Sequence, residues 1–197
     1  MTASILASSF KEEPYWWEAF RPQAISAPAL PGKADVVIVG GGYAGLATAR
    51  ALADGGVQSV VLEAEEFGSG ASTRSGGGIS AGLSIGKSFA GKSLDYAPEL
   101  VRDVVGWAVA AYRGLFDLIE RENIDCHLEQ HGRFLGACAV SHYDGLRARF
   151  DKLRAGGATD CYLVSRAEQR QEIGSDFYHG GMVLETAGKL HPALFYG

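Results

Sequence analysis

The chain has 197 residues, of which 47% are hydrophobic and 21% are charged, a composition typical of globular domains. Its formal net charge of -5 disfavours nucleic acid as a partner, because phosphate backbones are bound by basic surfaces. No apolar run approaches the ~20 residues that a membrane-spanning helix needs, and residues 1–10 lack the basic start of a secretory signal, so we expect a cytoplasmic protein.

Residues 1–32 are rich in proline and show no regular hydrophobic period, so we predict an N-terminal arm. The arm contains an aromatic cluster, Tyr15, Trp16, Trp17 and Phe20. Because exposing so much apolar surface to water is unfavourable, we expect the arm to pack against the body of the protein.

A strand, a helix and a second strand follow the arm. Val36–Val39 and Ser59–Leu62 are short apolar runs, typical of buried parallel strands. Leu46–Asp54 between them is an alanine-rich helix that the pair Gly55 and Gly56 would end. Together they predict a βαβ unit of about 30 residues, the start of a doubly wound, Rossmann-like α/β fold.

The second half of the chain mixes predicted helices and strands, as in an α+β domain. Between Leu100 and Ile119, apolar residues recur at steps of one, three and four, which predicts a helix with one buried stripe. Ser141 with Asp144 predicts the start of another helix, and Ser165 with Glu168 predicts a capping box. The remaining apolar runs predict strands at residues 125–128, 132–140, 162–164 and 178–185.

The cysteines and histidines give no metal-binding pattern. Cys126, Cys138 and Cys161 have no zinc-like spacing, and we expect buried, reduced thiols. His127 and His131 lie four residues apart, but Gly132 and the strand pattern around them argue against a helical metal pair. We therefore expect no metal site.

The turn after the first strand carries the strongest motif, a G-x-G-x-x-G made by Gly40, Gly41, Gly42, Tyr43, Ala44 and Gly45. Gly40 permits the tight turn, Gly42 lets a diphosphate approach the backbone, and Gly45 lets the helix pack against the strand. The N–H groups and partial positive charge at the helix N-terminus then suit phosphate. The motif in this context predicts a dinucleotide site.

Glu63 ends the second strand, 18 residues after Gly45. At this position a carboxylate can accept hydrogen bonds from ribose hydroxyls. It also disfavours NADP, because the 2′-phosphate would place a second anion beside it. These residues leave FAD and NAD as alternatives.

The run Val60–Ala64, followed by Gly70–Gly77, resembles the D-amino-acid oxidase superfamily of FAD-dependent oxidoreductases. The closest resemblance is to the gamma-glutamylputrescine oxidase-like branch, in which the second run usually reads Gly-Ala-Ser-Gly-Arg-Asn-Gly-Gly. Thr73 and Ser75 replace a glycine and an asparagine of that pattern, and because both are small or polar the backbone contacts of the loop can be kept. Weaker similarities are the cluster Tyr15–Trp17 and the segment Lys189–Pro192.

The resemblance implies FAD as the cofactor and a loop that lies beside the ribityl chain and flavin ring. Arg74 would offset phosphate or reduced-flavin charge, or else be an ordinary surface arginine. The implied cofactor-binding residues are Gly40, Gly41, Gly42, Tyr43, Ala44, Gly45, Glu63, Ala64, Gly70, Ala71, Ser72, Thr73, Arg74, Ser75, Gly76 and Gly77.

The expected organisation is an FAD-binding βαβ and flavin loop at 33–90, a substrate-side α+β region at 91–185, and a return toward the FAD domain at 186–197. His191 and Pro192 predict a helix start there, since proline is favoured at the first helical position. The chain stops at Gly197, one turn into that helix, so we expect it to be part of a longer protein.

The resemblance implies oxidation of a C–N bond in a small amine or amino acid by hydride transfer to flavin, with oxygen as the electron acceptor. It assigns no catalytic side chain, and we expect this part of the protein alone to be inactive. An NAD-dependent dehydrogenase and a non-catalytic fragment are the alternatives. The sequence gives no indication of oligomeric state.

Overall fold

The computed structural model describes residues 5–22, 26, 28–81 and 97–197, which fall into two compact units. The first unit holds the described residues up to Gly77 together with His191–Gly197, and the second spans Gly78–Leu190. The domain boundary expected at residue 90 lies outside the described residues, and the assignment of a role to each region stays a prediction.

The first unit contains the predicted βαβ arrangement. Strands β1 (Val36–Val39) and β2 (Ser59–Leu62) pair in parallel, with Val36 opposite Ser59. Helix α1 joins them and spans Tyr43–Asp54, three residues longer at its start than predicted. It begins there because Gly42 adopts an extended N-cap conformation and its carbonyl accepts the first helical hydrogen bond, from Leu46 N at 3.0 Å.

In its described residues, 78–81 and 97–190, the second unit combines two α-helices with two antiparallel sheets. The elements are β3 (Gly78–Ser80), α2 (Pro98–Arg121), β4 (Glu129–Gln130), β5 (Arg133–Gly136), α3 (Val140–Ala155), β6 (Cys161–Val164), β7 (Gly181–Leu184) and β8 (Ala187–Lys189). The sheets have the strand orders β3-β8-β4 and β5-β7-β6.

The core of the second unit lies between α2, α3 and β7. All four residues of β7 are buried, because this strand is the centre of its sheet. Helix α2 buries Val105, Tyr112 and Ile119, which recur every seven residues and confirm the predicted stripe. The core cluster is Val105, Leu153, Ala158, Cys161, Met182 and Leu184.

Three predictions around residues 125–141 are wrong. The segment 125–128 is not a strand, because His127 has a φ of 50° and therefore interrupts an extended backbone. The next strand ends at Gly136, since α3 already begins at Val140 with Ala139 as its N-cap, and Ser141 does not cap it.

The predicted elements near residues 162–185 are only partly confirmed. Glu168 Oε2 does receive hydrogen bonds from the hydroxyl and N–H of Ser165, at 2.7 and 3.4 Å. The helix that follows is a single 3-10 turn, Gln169–Gln171. The strand expected from residue 178 begins at Gly181, because Gly180 has a φ of 89°.

The first unit is completed by the two ends of the chain. The predicted final helix, α4, spans Pro192–Tyr196, and His191 caps it by accepting a hydrogen bond from Leu194 N at 3.2 Å. Tyr15–Glu18 forms a 3-10 helix in the N-terminal arm. The ring of Trp16 lies edge-on to His191 at 4.8 Å, which confirms that the arm packs against the body.

None of the helices in the described ranges is both long and apolar enough to cross a bilayer.

Candidate functional site

The glycine turn after β1 has the geometry that its sequence predicts. Gly40 has a φ of 99°, a conformation that few residues other than glycine adopt, and its N–H donates to Leu62 O at 2.7 Å. A Cβ on Gly45 would overlap the carbonyl oxygen of Gly40. The close approach of α1 to the turn therefore requires glycine at position 45.

The N-terminus of α1 faces the glycine-rich segment Gly70–Gly77, called the second loop below. Ser72 Oγ accepts a hydrogen bond from Tyr43 N at 3.2 Å, and a Cβ on Gly42 would lie 3.2 Å from the same oxygen. Within the described part of the chain, the N–H groups of Gly42 and Ala44 have no hydrogen-bond acceptor. These N–H groups and the positive end of the helix dipole can bind an anion such as a phosphate.

Glu63 points into the glycine turn. Its Oε2 accepts a hydrogen bond from Gly41 N at 2.7 Å, while Oε1 accepts from Ala64 N at 2.8 Å and from Glu65 N at 3.4 Å. The hydrogen bond from Gly41 is the main cause of a lowered pKa at Glu63, and those from Glu65 and Ala64 add to it. The carboxylate is therefore held charged.

A carboxylate offers about four acceptor positions, so these three bonds leave capacity for another donor. Oε2 receives one of the three bonds and keeps a lone pair for a hydroxyl group. Glu63 can thus bind a ribose hydroxyl without releasing Gly41.

Gly41 is enclosed by side chains that the sequence analysis did not single out. A Cβ on Gly41 would overlap the ring of Phe67, and the hydroxyl of Tyr196 donates to the carbonyl of Gly41. Tyr43 adds a second link to α4 through a hydrogen bond from its hydroxyl to Pro192 O at 3.1 Å. Tyr196 stays protonated as a donor, because burial raises its pKa. The sequence indicated Tyr196 only as an aromatic residue within the predicted final helix.

The second loop begins with the 3-10 helix Ala71–Thr73, in which Thr73 is fully buried. Its hydroxyl donates to Gly68 O at 2.6 Å and accepts from Trp17 Nε1 at 2.9 Å. The side chain of Thr73 is therefore committed to contacts within the protein and is not available to a ligand.

The rest of this loop also contacts the N-terminal arm. Ser75 O accepts a hydrogen bond from Trp16 Nε1 at 2.7 Å. Arg74 is exposed, and its guanidinium carbon lies 5.2 Å from the centre of the Trp17 ring, which indicates a cation–π contact. A role for Arg74 in offsetting cofactor charge stays a prediction.

The predicted site residues thus form two groups. Direct hydrogen bonds and close approaches connect the glycine turn, Glu63, Ala64 and Ser72. The second group is the rest of the second loop, residues 73–77, which the arm contacts through Trp16 and Trp17. It ends at Gly77, which is buried and has a φ of 70°. Gly70 and Gly76 leave open space around the position of a Cβ, so their backbones are accessible.

Of the cysteines and histidines, His191 packs against Trp16 of the arm, and none of the cysteines is a predicted site residue. Cys126 and Cys161 are buried as expected, and burial raises the pKa of both thiols, whereas Cys138 is exposed. His191 is the N-cap of α4, as the sequence predicted. Among the described residues, no group of three acidic, histidine or cysteine side chains could hold a metal ion.

Comparison with known families gives the identity of this fold. The family of FAD dependent oxidoreductases designated DAO matches residues 35–196, a range that includes the glycine turn, Glu63 and the second loop. The chain belongs to this family. Membership favours FAD over NAD, the two cofactors that the residues alone left open.

Three similar proteins illustrate the match. The chain is 30% identical to a probable oxidoreductase OrdL of Rhizobium meliloti over 90% of its length and 41% of that protein's. It is 32% identical to gamma-glutamylputrescine oxidoreductase of Escherichia coli over 80% of its length and 36% of that protein's. Glycine oxidase from Geobacillus kaustophilus has the same fold, with a TM-score of 0.66 at 23% identity over 83% of this chain and 42% of that one. The chain therefore spans about two fifths of the length of these relatives.

Lowering the pH is expected to weaken the hydrogen bonds that link Glu63 to the glycine turn and to the residues after β2. Because its pKa is lowered in the folded chain, the bonds to Gly41, Ala64 and Glu65 stabilise the fold at neutral pH. This stability is lost as the pH falls through the ordinary carboxyl range and then through the lowered folded pKa. We expect Glu63→Gln to lower the midpoint of urea unfolding at pH 7, and the difference from wild type to shrink toward acid pH.

The matched control is Glu12→Gln, which removes an exposed carboxylate from the arm. Its unfolding midpoint should follow that of the wild type across the same pH series. A deficit in Glu63→Gln that is independent of pH would show that the charge of Glu63 does not stabilise the turn.

Proposed function

We propose that this chain is the cofactor-binding part of an FAD-dependent enzyme that oxidises a C–N bond in a small amine or amino acid. The contact between Glu63 and Gly41 is the observation that carries the proposal, since it sets an acceptor for ribose beside a helix N-terminus suited to phosphate. The names of the relatives support the substrate class, because they include an oxidoreductase of gamma-glutamylputrescine and an oxidase of glycine.

The arrangement fits the ADP half of FAD. The backbone of Gly40–Gly45 would bind the diphosphate through the N–H groups of Gly42 and Ala44, and Glu63 would accept from the ribose. A Cβ on Gly42 would lie 3.2 Å from Ser72 Oγ in the space beside the helix N-terminus, so glycine at this position leaves the backbone open to the diphosphate.

The backbone of the second loop, residues 70–77, would lie along the flavin half. The open space around Gly70 and Gly76 allows the close approach that a ring and its ribityl chain require. Bound flavin would supply the hydride acceptor for the reaction. We assign the chain's own residues to binding and orientation and name no catalytic side chain.

The proposed reaction removes a hydride and a proton from an amine, giving an imine that water hydrolyses to a carbonyl compound and ammonia. Oxygen is the proposed acceptor and would take up the two electrons and two protons as hydrogen peroxide. A cytoplasmic location stays a prediction from the sequence.

FAD binding tests the cofactor assignment. We expect the purified chain to bind FAD with quenching of flavin fluorescence, ADP to displace it, and NAD to compete far more weakly. Gly42→Ala should weaken FAD binding about tenfold, because crowding of a packed site by one methyl group costs roughly 1–3 kcal/mol. Gly32→Ala is the control, since among the described residues, its chain neighbours apart, no heavy atom lies within 4 Å of the added methyl group.

Equal affinity of the two alanine variants would contradict the assignment of the glycine turn. Tight binding of NAD with no binding of FAD would favour a dehydrogenase instead.

The chain alone is expected to lack turnover. Because it spans about two fifths of its relatives' length, we propose that substrate-holding residues lie largely in the part of the relatives that it does not match. Incubation with FAD and a panel of amines and amino acids should give no amine-dependent hydrogen peroxide above that of free FAD. Peroxide formation that depends on both the chain and an amine would show that these 197 residues already contain a working substrate site.

A further inference from the structure

Two consecutive indoles of the N-terminal arm donate hydrogen bonds to the second loop. Trp16 Nε1 donates to Ser75 O at 2.7 Å, and Trp17 Nε1 donates to Thr73 Oγ1 at 2.9 Å. The partners lie 59 and 56 residues away along the sequence. The two contacts therefore hold Thr73 and Ser75, which lie two residues apart in the second loop.

Thr73 extends the second contact into the base of the loop. Its fully buried hydroxyl accepts from Trp17 and donates to Gly68 O at 2.6 Å, so indole, hydroxyl and carbonyl form a continuous chain of hydrogen bonds. Trp17 has this acceptor because position 73 carries a hydroxyl group, where the related loop pattern has glycine.

Each indole is also held from another side. The ring of Trp16 lies against His191, the N-cap of α4, with ring centres 4.8 Å apart and an interplanar angle of 65°. The ring of Trp17 lies beneath Arg74 at 5.2 Å and near Arg21 at 6.0 Å. Both donors are therefore fixed in direction before any ligand binds.

We propose that Trp16 and Trp17 are positioning residues that preset the loop 73–75 for the flavin half of FAD. This inference rests on the proposed function, because it assumes that FAD binds along the loop. The N–H of each indole holds the loop in the conformation that binds the cofactor, so the loop does not have to be ordered at the moment of binding.

The Trp16→Phe and Trp17→Phe variants test this role, since phenylalanine keeps an aromatic ring and removes the N–H donor. Each variant should weaken FAD binding about fivefold, the change expected for one hydrogen bond, while its affinity for ADP stays that of the wild type. ADP would contact the glycine turn and Glu63 but not residues 73–75. Amide hydrogen exchange in residues 71–77 should be faster in both variants, with or without FAD.

Trp107→Phe is the matched control, because Trp107 is 66% exposed and lies on α2 in the other unit. It should bind FAD and ADP with the affinity of the wild type. Thr73→Val gives an independent disruption of the contact with Trp17, and the effects of Trp17→Phe and Thr73→Val on FAD affinity should be less than additive.

The outcomes separate the two proposals. Equal weakening of FAD and ADP in the tryptophan variants would show a general structural role and overturn the positioning role, as would unchanged FAD affinity. Fully additive effects of Trp17→Phe and Thr73→Val would overturn the part of it that runs through Thr73. If the wild-type chain binds neither FAD nor ADP, the proposed function itself fails.

Discussion

The hydrogen bond from Gly41 N to Glu63 Oε2 ties the turn after β1 to the end of β2. This bond holds the carboxylate of Glu63 beside the glycine turn. The nearby backbone N–H groups stabilise its negative charge and so lower the pKa of Glu63. A charged acceptor held there and a helix N-terminus a few residues away are complementary to a sugar and to phosphates. The assignment of a dinucleotide site depends on this contact, since the βαβ unit alone carries no ligand specificity.

Both ends of the chain support the two loops of the first unit. From the C-terminal side, the Tyr196 hydroxyl donates to the carbonyl of Gly41, so both backbone groups of that residue are bound. From the N-terminal side, Trp16 and Trp17 hold the second loop. The loops therefore have little freedom of their own, which is the condition for binding a cofactor without a large ordering cost.

Local signals were enough to predict the βαβ unit, the glycine turn and the start of α4. Each depends on a short run of residues, such as the apolar strand Val36–Val39 or the proline after His191. The direction of Glu63 also followed from its spacing after the turn, because parallel strands place their carboxyl ends at one edge.

Sequence reasoning failed where an unusual backbone conformation sets the end of an element, or where a contact with a residue distant in sequence sets the role of a side chain. The left-handed φ of His127 ends a segment whose composition favours a strand. The roles of Thr73 and Tyr196 depend on partners far away in sequence, Trp17 and Gly41, which no local pattern can reveal. The same holds for Trp16 and Trp17, since the apolar cluster predicted that the arm would pack but not which atoms it would hold.

Assignment of backbone amide signals by NMR, followed by titration with FAD, tests the central claim most directly. The account predicts the largest chemical-shift changes at the glycine turn, at Glu63 and Ala64, and in residues 70–77. Changes confined to Gly78–Leu190, or none at saturating FAD, would contradict it.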